Sequence, residues 1–171
     1  MKKYFLWFAL LSLSFAQLKV GDKAPPINLF RLDNNKYYHL KDEIGKNTIV
    51  LSFFATWCEP CKKEIPKLNT MIDTLDVDSI SFYYVNVSNI IPPGEKNKSR
   101  ETKKIINMFK EKLNITFPIL LDKYALIYKS YKLQKMPTVV VIGKDGNISY
   151  FHGGYTPGDE LVLLEHLLKQ K

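Results

Sequence analysis

Residues 48–66 read TIVLSFFATWCEPCKKEIP, and they join an apolar run to both cysteines of the chain. Residues 49–55 are apolar apart from Ser52, which predicts a strand that is covered on both faces. The sequence Cys-Glu-Pro-Cys follows at residues 58–61, and the charged residues after it favour a helix. The pattern therefore predicts a C-x-x-C dithiol at the junction between a buried strand and a helix.

Cys58 and Cys61 are the only cysteines of the chain. A disulfide between them would close a ring of four residues, which stabilises a fold by only roughly 2 kcal/mol in the chain-entropy model. We therefore interpret the pair as a redox centre. A thiol attacks a disulfide as the thiolate, and the unpaired N–H groups and positive dipole of a helix start favour that form of Cys58. Cys58 is predicted to be the attacking thiol, exposed at the helix tip, and Cys61 the resolving thiol.

Zinc binding and peroxide reduction are competing uses of the two thiols. One C-x-x-C pair supplies only two zinc ligands, and His39, His152 and His166 are scattered without ligand spacing. A peroxide-reducing enzyme would use a cysteine in a setting of its own, and no cysteine stands apart from the pair. The favoured interpretation is a thiol-disulfide oxidoreductase without metal or other cofactor. A metal-binding chaperone that uses the same thiols is the alternative.

Two acidic residues lie close to the dithiol in sequence. Glu64 follows Cys61 by three residues and Cys58 by six, so on a helix it lies on or near the same side as both cysteines. A carboxyl group there can take or give the proton that moves when Cys61 attacks. Glu59 is expected to be exposed, and its negative charge opposes formation of the Cys58 thiolate.

Residues 1–16 have the features of a secretory signal peptide. Two lysines precede an apolar run, and residues 14–16, Ser-Phe-Ala, present small side chains where a signal peptidase cleaves. We expect cleavage before Gln17, with residues 17–171 as the mature thioredoxin-like domain. Retention as a membrane anchor is the alternative, although the run is shorter than the ~20 residues of a spanning helix. Export would place the protein in the periplasm or elsewhere outside the cytoplasm, where disulfides persist.

The chain has a formal charge of +8, and removal of the two N-terminal lysines leaves +6. Much of the excess lies in residues 94–112, which we interpret as a solvated helix face and the loop before it. A surface that steers acidic partners is the alternative. No nucleic-acid-binding motif is present, so we expect no nucleic acid partner.

The remaining sequence predicts an α/β fold, a mixed central sheet flanked by helices. Strands at residues 27–32 and 36–40 are joined by an Asp-Asn-Asn turn and predict an N-terminal β-hairpin. The further expected elements are helices at 58–75, 99–113, 122–131 and from Thr156-Pro157 onward, and strands at 80–87, 117–121, 138–142 and 148–152. The helix at 99–113 is expected to turn four apolar residues inward: Ile105, Ile106, Phe109 and Leu113.

Five features together resemble the exported thioredoxin-fold reductases of the TlpA/ResA type. They are WCEPCKKE, Pro66 five residues past the second cysteine, Met136-Pro137-Thr138, the VGDKAPPINL segment and FPILLDKYALIYKSYKL. The resemblance implies a thioredoxin fold with a helical insertion at residues 89–113. It implies a reductase of protein disulfides outside the cytoplasm, commonly those of apocytochrome c during cytochrome c maturation. It also implies an electron donor of the DsbD/CcdA kind in the membrane, and an N-terminus that is membrane-anchored in many members.

The resemblance also implies roles for individual residues. Pro137 is expected to be a cis proline that faces the dithiol, and Glu64 an active-site glutamate. Cytoplasmic thioredoxins carry a buried aspartate where this chain has Ser52, so proton handling is expected to fall to Glu64. Contacts with substrate are expected from Trp57, Glu59, Pro60, Met136 and Thr138. The sequence does not fix the redox potential, so a disulfide oxidase or isomerase on the same fold is the alternative function.

Overall fold

The computed structural model describes residues 18–75, 79–87 and 101–170. The expected signal peptide and the loop at residues 89–98 lie outside these ranges. In chain order the strands and α-helices are β1 (Asn28–Arg31), β2 (Tyr37–His39), β3 (Thr48–Phe54), α1 (Glu59–Asp73), β4 (Ile80–Asn86), α2 (Lys103–Lys112), β5 (Ile119–Leu121), α3 (Leu126–Ser130), β6 (Thr138–Ile142), β7 (Ile148–Gly153) and α4 (Asp159–Leu168).

Within the described residues the strands form one seven-stranded sheet in the order β2-β1-β5-β4-β3-β6-β7. β3 and β5 both run parallel to β4, and the other neighbours are antiparallel. β1 and β2 form the predicted N-terminal hairpin, in which Asn28 pairs with His39. The predicted mixed sheet is therefore confirmed.

β3 lies in the interior of the sheet, between β4 and β6, and all seven of its residues are buried. Successive side chains of a strand point to opposite faces, so β3 contributes to two hydrophobic cores. Val50 and Phe54 belong to the core that includes residues of α1 and α4. Ile49, Leu51 and Phe53 belong to the core on the opposite face. Ser52 shares the face of Val50 and Phe54, which is the face covered by α1.

α1 packs on the sheet through a stripe of buried residues at helical spacing. Ile65, Leu68 and Ile72 recur at helical spacing, and all three are buried. Cys61 and Glu64 are buried on the same side of the helix. The helix that follows the central strand therefore carries one cysteine and the glutamate into the core.

α2 and α4 both begin later than predicted. α2 begins at Lys103 rather than Ser99, because Thr102 caps it by accepting a hydrogen bond from the N–H of Ile105 at 3.3 Å. Ile105 is 38% exposed, because the buried side of α2 is formed by Ile106 and Phe109. α4 begins at Asp159, after Gly158 with φ of 107°, and not at the earlier Thr156-Pro157.

Candidate active site

Cys58 and Cys61 form a disulfide at the first turn of α1. Cys58 is the residue that caps the helix, and its Sγ accepts a hydrogen bond from the backbone N–H of Cys61 at 3.2 Å. The same N–H would stabilise negative charge on Cys58 Sγ after reduction, since a hydrogen bond to the charged form of a group favours that form. The predicted position of the dithiol at a strand-to-helix junction is confirmed.

The prediction that Cys58 is exposed is wrong for this disulfide form. Cys58 is only 3% exposed and Cys61 is fully buried. The Sγ of Cys58 is bonded to that of Cys61, which faces the core. Trp57 and Met136 are partly buried and pack against the core cluster that contains both cysteines. A reaction partner therefore has access only to the small exposed surface of Cys58.

Glu64 is a buried carboxyl group on the same face of α1. It is 3% exposed, and the hydroxyl of Ser52 donates a hydrogen bond to its Oε2 over a long 3.5 Å. Burial raises the pKa of Glu64 to about 8, and the Ser52 hydrogen bond opposes this only in part. At neutral pH the group is mostly protonated, yet its pKa is close enough to the ambient pH to exchange a proton.

Two carboxylates at the start of α4 contribute to the raised pKa of Glu64. Burial is the largest cause, and the negative charges of Asp159 and Glu160 raise the pKa of Glu64 further. Asp159 Oδ2 lies 3.0 Å from Nε2 of His152, and Glu160 Oε2 accepts hydrogen bonds from the Tyr155 hydroxyl and the Gly158 N–H. The two carboxylates are thus held in place by contacts within the β7–α4 loop and its flanks.

The peptide bond between Met136 and Pro137 is cis, as predicted. Thr138, the first residue of β6, pairs with Phe53 near the C-terminal end of β3. Pro137 therefore lies at the same end of these central strands as the dithiol. The N–H of Gly154 donates to the Pro137 carbonyl at 2.7 Å. Thr138 is 1% exposed and donates its hydroxyl to the Lys135 carbonyl at 2.7 Å. The Thr138 side chain is therefore engaged within the turn, and the expected contact of Thr138 with substrate stays a prediction.

Glu59 and Pro60 occupy the exposed outer side of the dithiol turn. The Glu59 side chain is 74% exposed and forms an ion pair with Lys62. The hydrogen bond from Lys62 is the main reason that the pKa of Glu59 lies below its ordinary value. Glu59 is exposed as predicted, but the Lys62 charge offsets its effect on a Cys58 thiolate.

Glu101, which no sequence pattern singles out, contacts the turn that carries the dithiol. Its Oε1 accepts hydrogen bonds from the N–H of Thr56, at 2.9 Å, and from the Thr56 hydroxyl. Its Oε2 accepts a hydrogen bond from Nδ2 of Asn86 at 2.9 Å. Its one signal in the sequence is a carboxylate placed directly before the helix-capping Thr102, which does not indicate a partner 45 residues away.

The three histidines are distributed over different contacts and do not join the dithiol. The ring of His39 stacks on that of Tyr37, and His166 lies 3.0 Å from the Ser149 hydroxyl. His152 contacts Asp159, as described above. Among the described residues no group of three or more histidine, cysteine, aspartate or glutamate side chains is arranged to hold a metal ion. In the same ranges, none of the helices has the length and apolar character needed to cross a membrane.

The sheet, the dithiol at the start of α1 and the cis proline beside it make this a thioredoxin-like domain. This agrees with solved structures of the same fold. One is a putative thiol:disulfide interchange protein DsbE from Chlorobium tepidum, with a TM-score of 0.75 and 24% identity over 90% of this chain and 99% of that one. Another is StoA from Bacillus subtilis, with a TM-score of 0.65 and 26% identity over 84% and 98% of the two chains.

The family model described as AhpC/TSA matches residues 20–151, and the chain belongs to that family. Among its relatives is the thiol-disulfide oxidoreductase ResA of Geobacillus kaustophilus, which is 30% identical over 129 residues. The match spans 75% of this chain and 66% of the relative, so the chain covers just under two thirds of that protein's length. The resemblance to ResA-type proteins is therefore confirmed.

Proposed function

We propose that the protein is a thiol-disulfide oxidoreductase that acts outside the cytoplasm as a disulfide reductase. The observation that carries this proposal is the Cys58–Cys61 disulfide at the start of α1, on the same helix face as a buried glutamate whose pKa is about 8. The similarity to a protein named thiol-disulfide oxidoreductase ResA supports the same chemistry.

The proposed reaction begins with the reduced protein. The Cys58 thiolate attacks one sulfur of a substrate disulfide, which forms a mixed disulfide and releases the other substrate sulfur as a thiolate. Cys61 then loses its proton and attacks Cys58 Sγ, so that the Cys58–Cys61 disulfide forms and the second substrate sulfur leaves. Two electrons pass to the substrate. The two released thiolates take up two protons: the one that Cys61 gives up, and one from solvent that equals the proton Cys58 lost when it became a thiolate.

Glu64 is the group that we propose to move the Cys61 proton. In its carboxylate form it accepts the proton when Cys61 attacks, and in its protonated form it returns a proton when Cys61 leaves during re-reduction. A pKa of about 8 makes both forms accessible near neutral pH. Ser52 has no ionisable carboxyl group, and its hydroxyl contacts Glu64. The serine therefore contacts the glutamate and does not take over its role in proton transfer.

Substrate is proposed to approach the end of the central strands where the dithiol turn and the cis proline lie. Trp57, Glu59, Pro60 and Met136 are the side chains proposed to contact it, since each is exposed or partly buried. The hydroxyl of Thr138 donates to the Lys135 carbonyl and so supports the turn that contains Pro137.

The partners that we propose follow from the resemblance to the ResA type. The substrate class is a disulfide-containing exported protein, with apocytochrome c as the leading candidate. The electron donor is a membrane thiol transporter of the DsbD/CcdA kind. The signal-peptide features of residues 1–16 support export.

Two measurements test the direction of electron transfer and the identity of the substrate. Equilibration with glutathione buffers gives the redox potential, which for a reductase should lie near the thioredoxin value of about −270 mV. A potential near the about −120 mV of DsbA would overturn the reductase proposal and indicate an oxidase. Capture of mixed disulfides by Cys61→Ala in the native host, followed by mass spectrometry, identifies the substrate, with the double variant Cys58→Ala/Cys61→Ala as control.

A further inference from the structure

We propose that Glu101 is a positioning residue for thiol-disulfide exchange, because it fixes the turn that carries Cys58. This proposal requires that the Cys58–Cys61 pair carries out thiol-disulfide exchange, and it holds for a reductase and for an oxidase alike. Glu101 joins three elements: the turn after β3, the end of β4 and the start of α2. It acts on the sulfur atoms only through Thr56, so it is not itself a catalytic residue.

The turn between β3 and α1 spans residues 55–58 and lies beyond the sheet's hydrogen-bond ladder. One hydrogen bond closes it internally, from the N–H of Cys58 to the Ala55 carbonyl at 3.0 Å. The N–H and the hydroxyl of Thr56 both donate to the same oxygen of Glu101. A backbone donor and a side-chain donor that share one acceptor fix both the position and the rotation of the Thr56 peptide.

The other oxygen of Glu101 is attached to the rigid part of the fold. Asn86, which donates to it, is fully buried at the end of β4, and the Asn86 carbonyl accepts from the N–H of Asp122 at 2.9 Å. On the chain, Glu101 directly precedes the residue that caps α2. The carboxylate is therefore anchored to the sheet and to a helix start, and the dithiol turn is held against that anchor.

A displacement of this turn changes the geometry on which exchange depends. Cys58 lies two residues beyond Thr56, and its Sγ must remain within reach of the Cys61 N–H, now at 3.2 Å. Misplacement of a reacting group by 1 Å can cost on the order of 100-fold in rate. Loss of the Glu101 contacts alone loosens the turn without removing its internal hydrogen bond, so we expect a loss of about tenfold.

The experiment compares Glu101→Ala, Glu101→Gln and the control Glu111→Ala, which removes an exposed carboxylate from α2, the helix that Glu101 precedes. The readouts are the second-order rate constant of the reduced protein with oxidised glutathione and the pH profile of Cys58 alkylation by iodoacetamide. Glu101→Ala should lower the rate constant about tenfold and shift the alkylation profile. Glu101→Gln keeps an acceptor oxygen for Thr56 and should remain within threefold of the parent. Rates for Glu101→Ala within twofold of Glu111→Ala, or an equal loss in Glu101→Gln, would overturn the proposal.

Thr56→Val keeps the proposal testable if Glu101→Ala does not fold. The valine removes only the hydroxyl contact, and the N–H contact with Glu101 remains. We expect Thr56→Val alone to lower the rate about threefold, and an unchanged rate would contradict the proposal. Where Glu101→Ala folds, the double variant Thr56→Val/Glu101→Ala should lose no more than Glu101→Ala alone. Single losses that multiply in the double variant would show that Glu101 does not act through Thr56. A lower melting temperature with unchanged rate and alkylation profile would show a structural role only and would also overturn the proposal.

Discussion

Replacement of Glu64 by glutamine should stabilise the oxidised protein, and the gain should grow with pH. In the folded protein the pKa of Glu64 is about 8, whereas the ordinary value is 4.5. Below pH 4.5 the carboxyl group is protonated in both states and has no effect on stability. Between pH 4.5 and 8 the unfolded chain loses this proton while the folded chain keeps it, so the free energy of unfolding falls as pH rises.

The size of the effect follows from the width of that window. One pKa unit corresponds to about 1.4 kcal/mol, so the cost of burying Glu64 reaches on the order of 3 kcal/mol at pH 7. Glutamine has no such cost, and its amide oxygen still accepts the Ser52 hydrogen bond. Wild type and Glu64→Gln should therefore be equally stable near pH 4.5 and diverge up to pH 8.

Urea denaturation of the oxidised proteins, followed by circular dichroism from pH 4.5 to 8.5, measures this difference directly. Other titrating groups cancel when the two proteins are compared at each pH. Glu59→Gln is the matched control, because Glu59 is on the same helix but exposed and its pKa is lowered, so no stabilisation with rising pH is expected. If the gain from Glu64→Gln does not grow with pH, the pKa of Glu64 is not raised and the proton-transfer argument fails.

Other substitutions test the remaining parts of the site and the fold. Cys58→Ala should abolish reduction of a model disulfide, and continued turnover would contradict the mechanism. Cys61→Ala should accumulate a mixed disulfide visible on non-reducing gels, which Cys58→Ala should not. Glu64→Gln should slow exchange and remove an inflection near pH 8 from its pH profile, so an unchanged profile would exclude proton transfer by this residue. Ile106→Ala should destabilise the fold by about 3 kcal/mol because it empties a buried site. Ile105→Ala, at an exposed neighbour, should cost far less by urea denaturation.

The parts of the fold and site that the sequence predicts are those with local signals. A continuous apolar run marks β3, and the cysteine spacing places the dithiol at the helix that follows. Glu64 could be selected because helical spacing alone puts it beside Cys61. The cis form of Pro137 followed from the family resemblance rather than from any local pattern.

The parts that the sequence does not predict depend on packing between distant segments. Ile105 and Ile106 are adjacent and equally apolar, and only the direction in which α2 meets the core decides which one is buried. Cys58 is buried in the core cluster on which Trp57 and Met136 also pack, and no local pattern indicates that packing. Glu101 contacts a turn 45 residues earlier in the chain, and no motif connects the two.

The two faces of β3 pack against different parts of the domain, and only one of them belongs to the core that holds the disulfide. The core that contains Val50 and Phe54 also contains both cysteines, so a change of volume there alters the support of the disulfide itself. The opposite core, with Ile49 and Leu51, contains neither cysteine. Exchanges between aliphatic residues of similar volume on that second face should change stability by less than about 1.5 kcal/mol and leave the reactivity of the dithiol as it is. One strand thus has one face that packs only the fold and another face that also surrounds the disulfide.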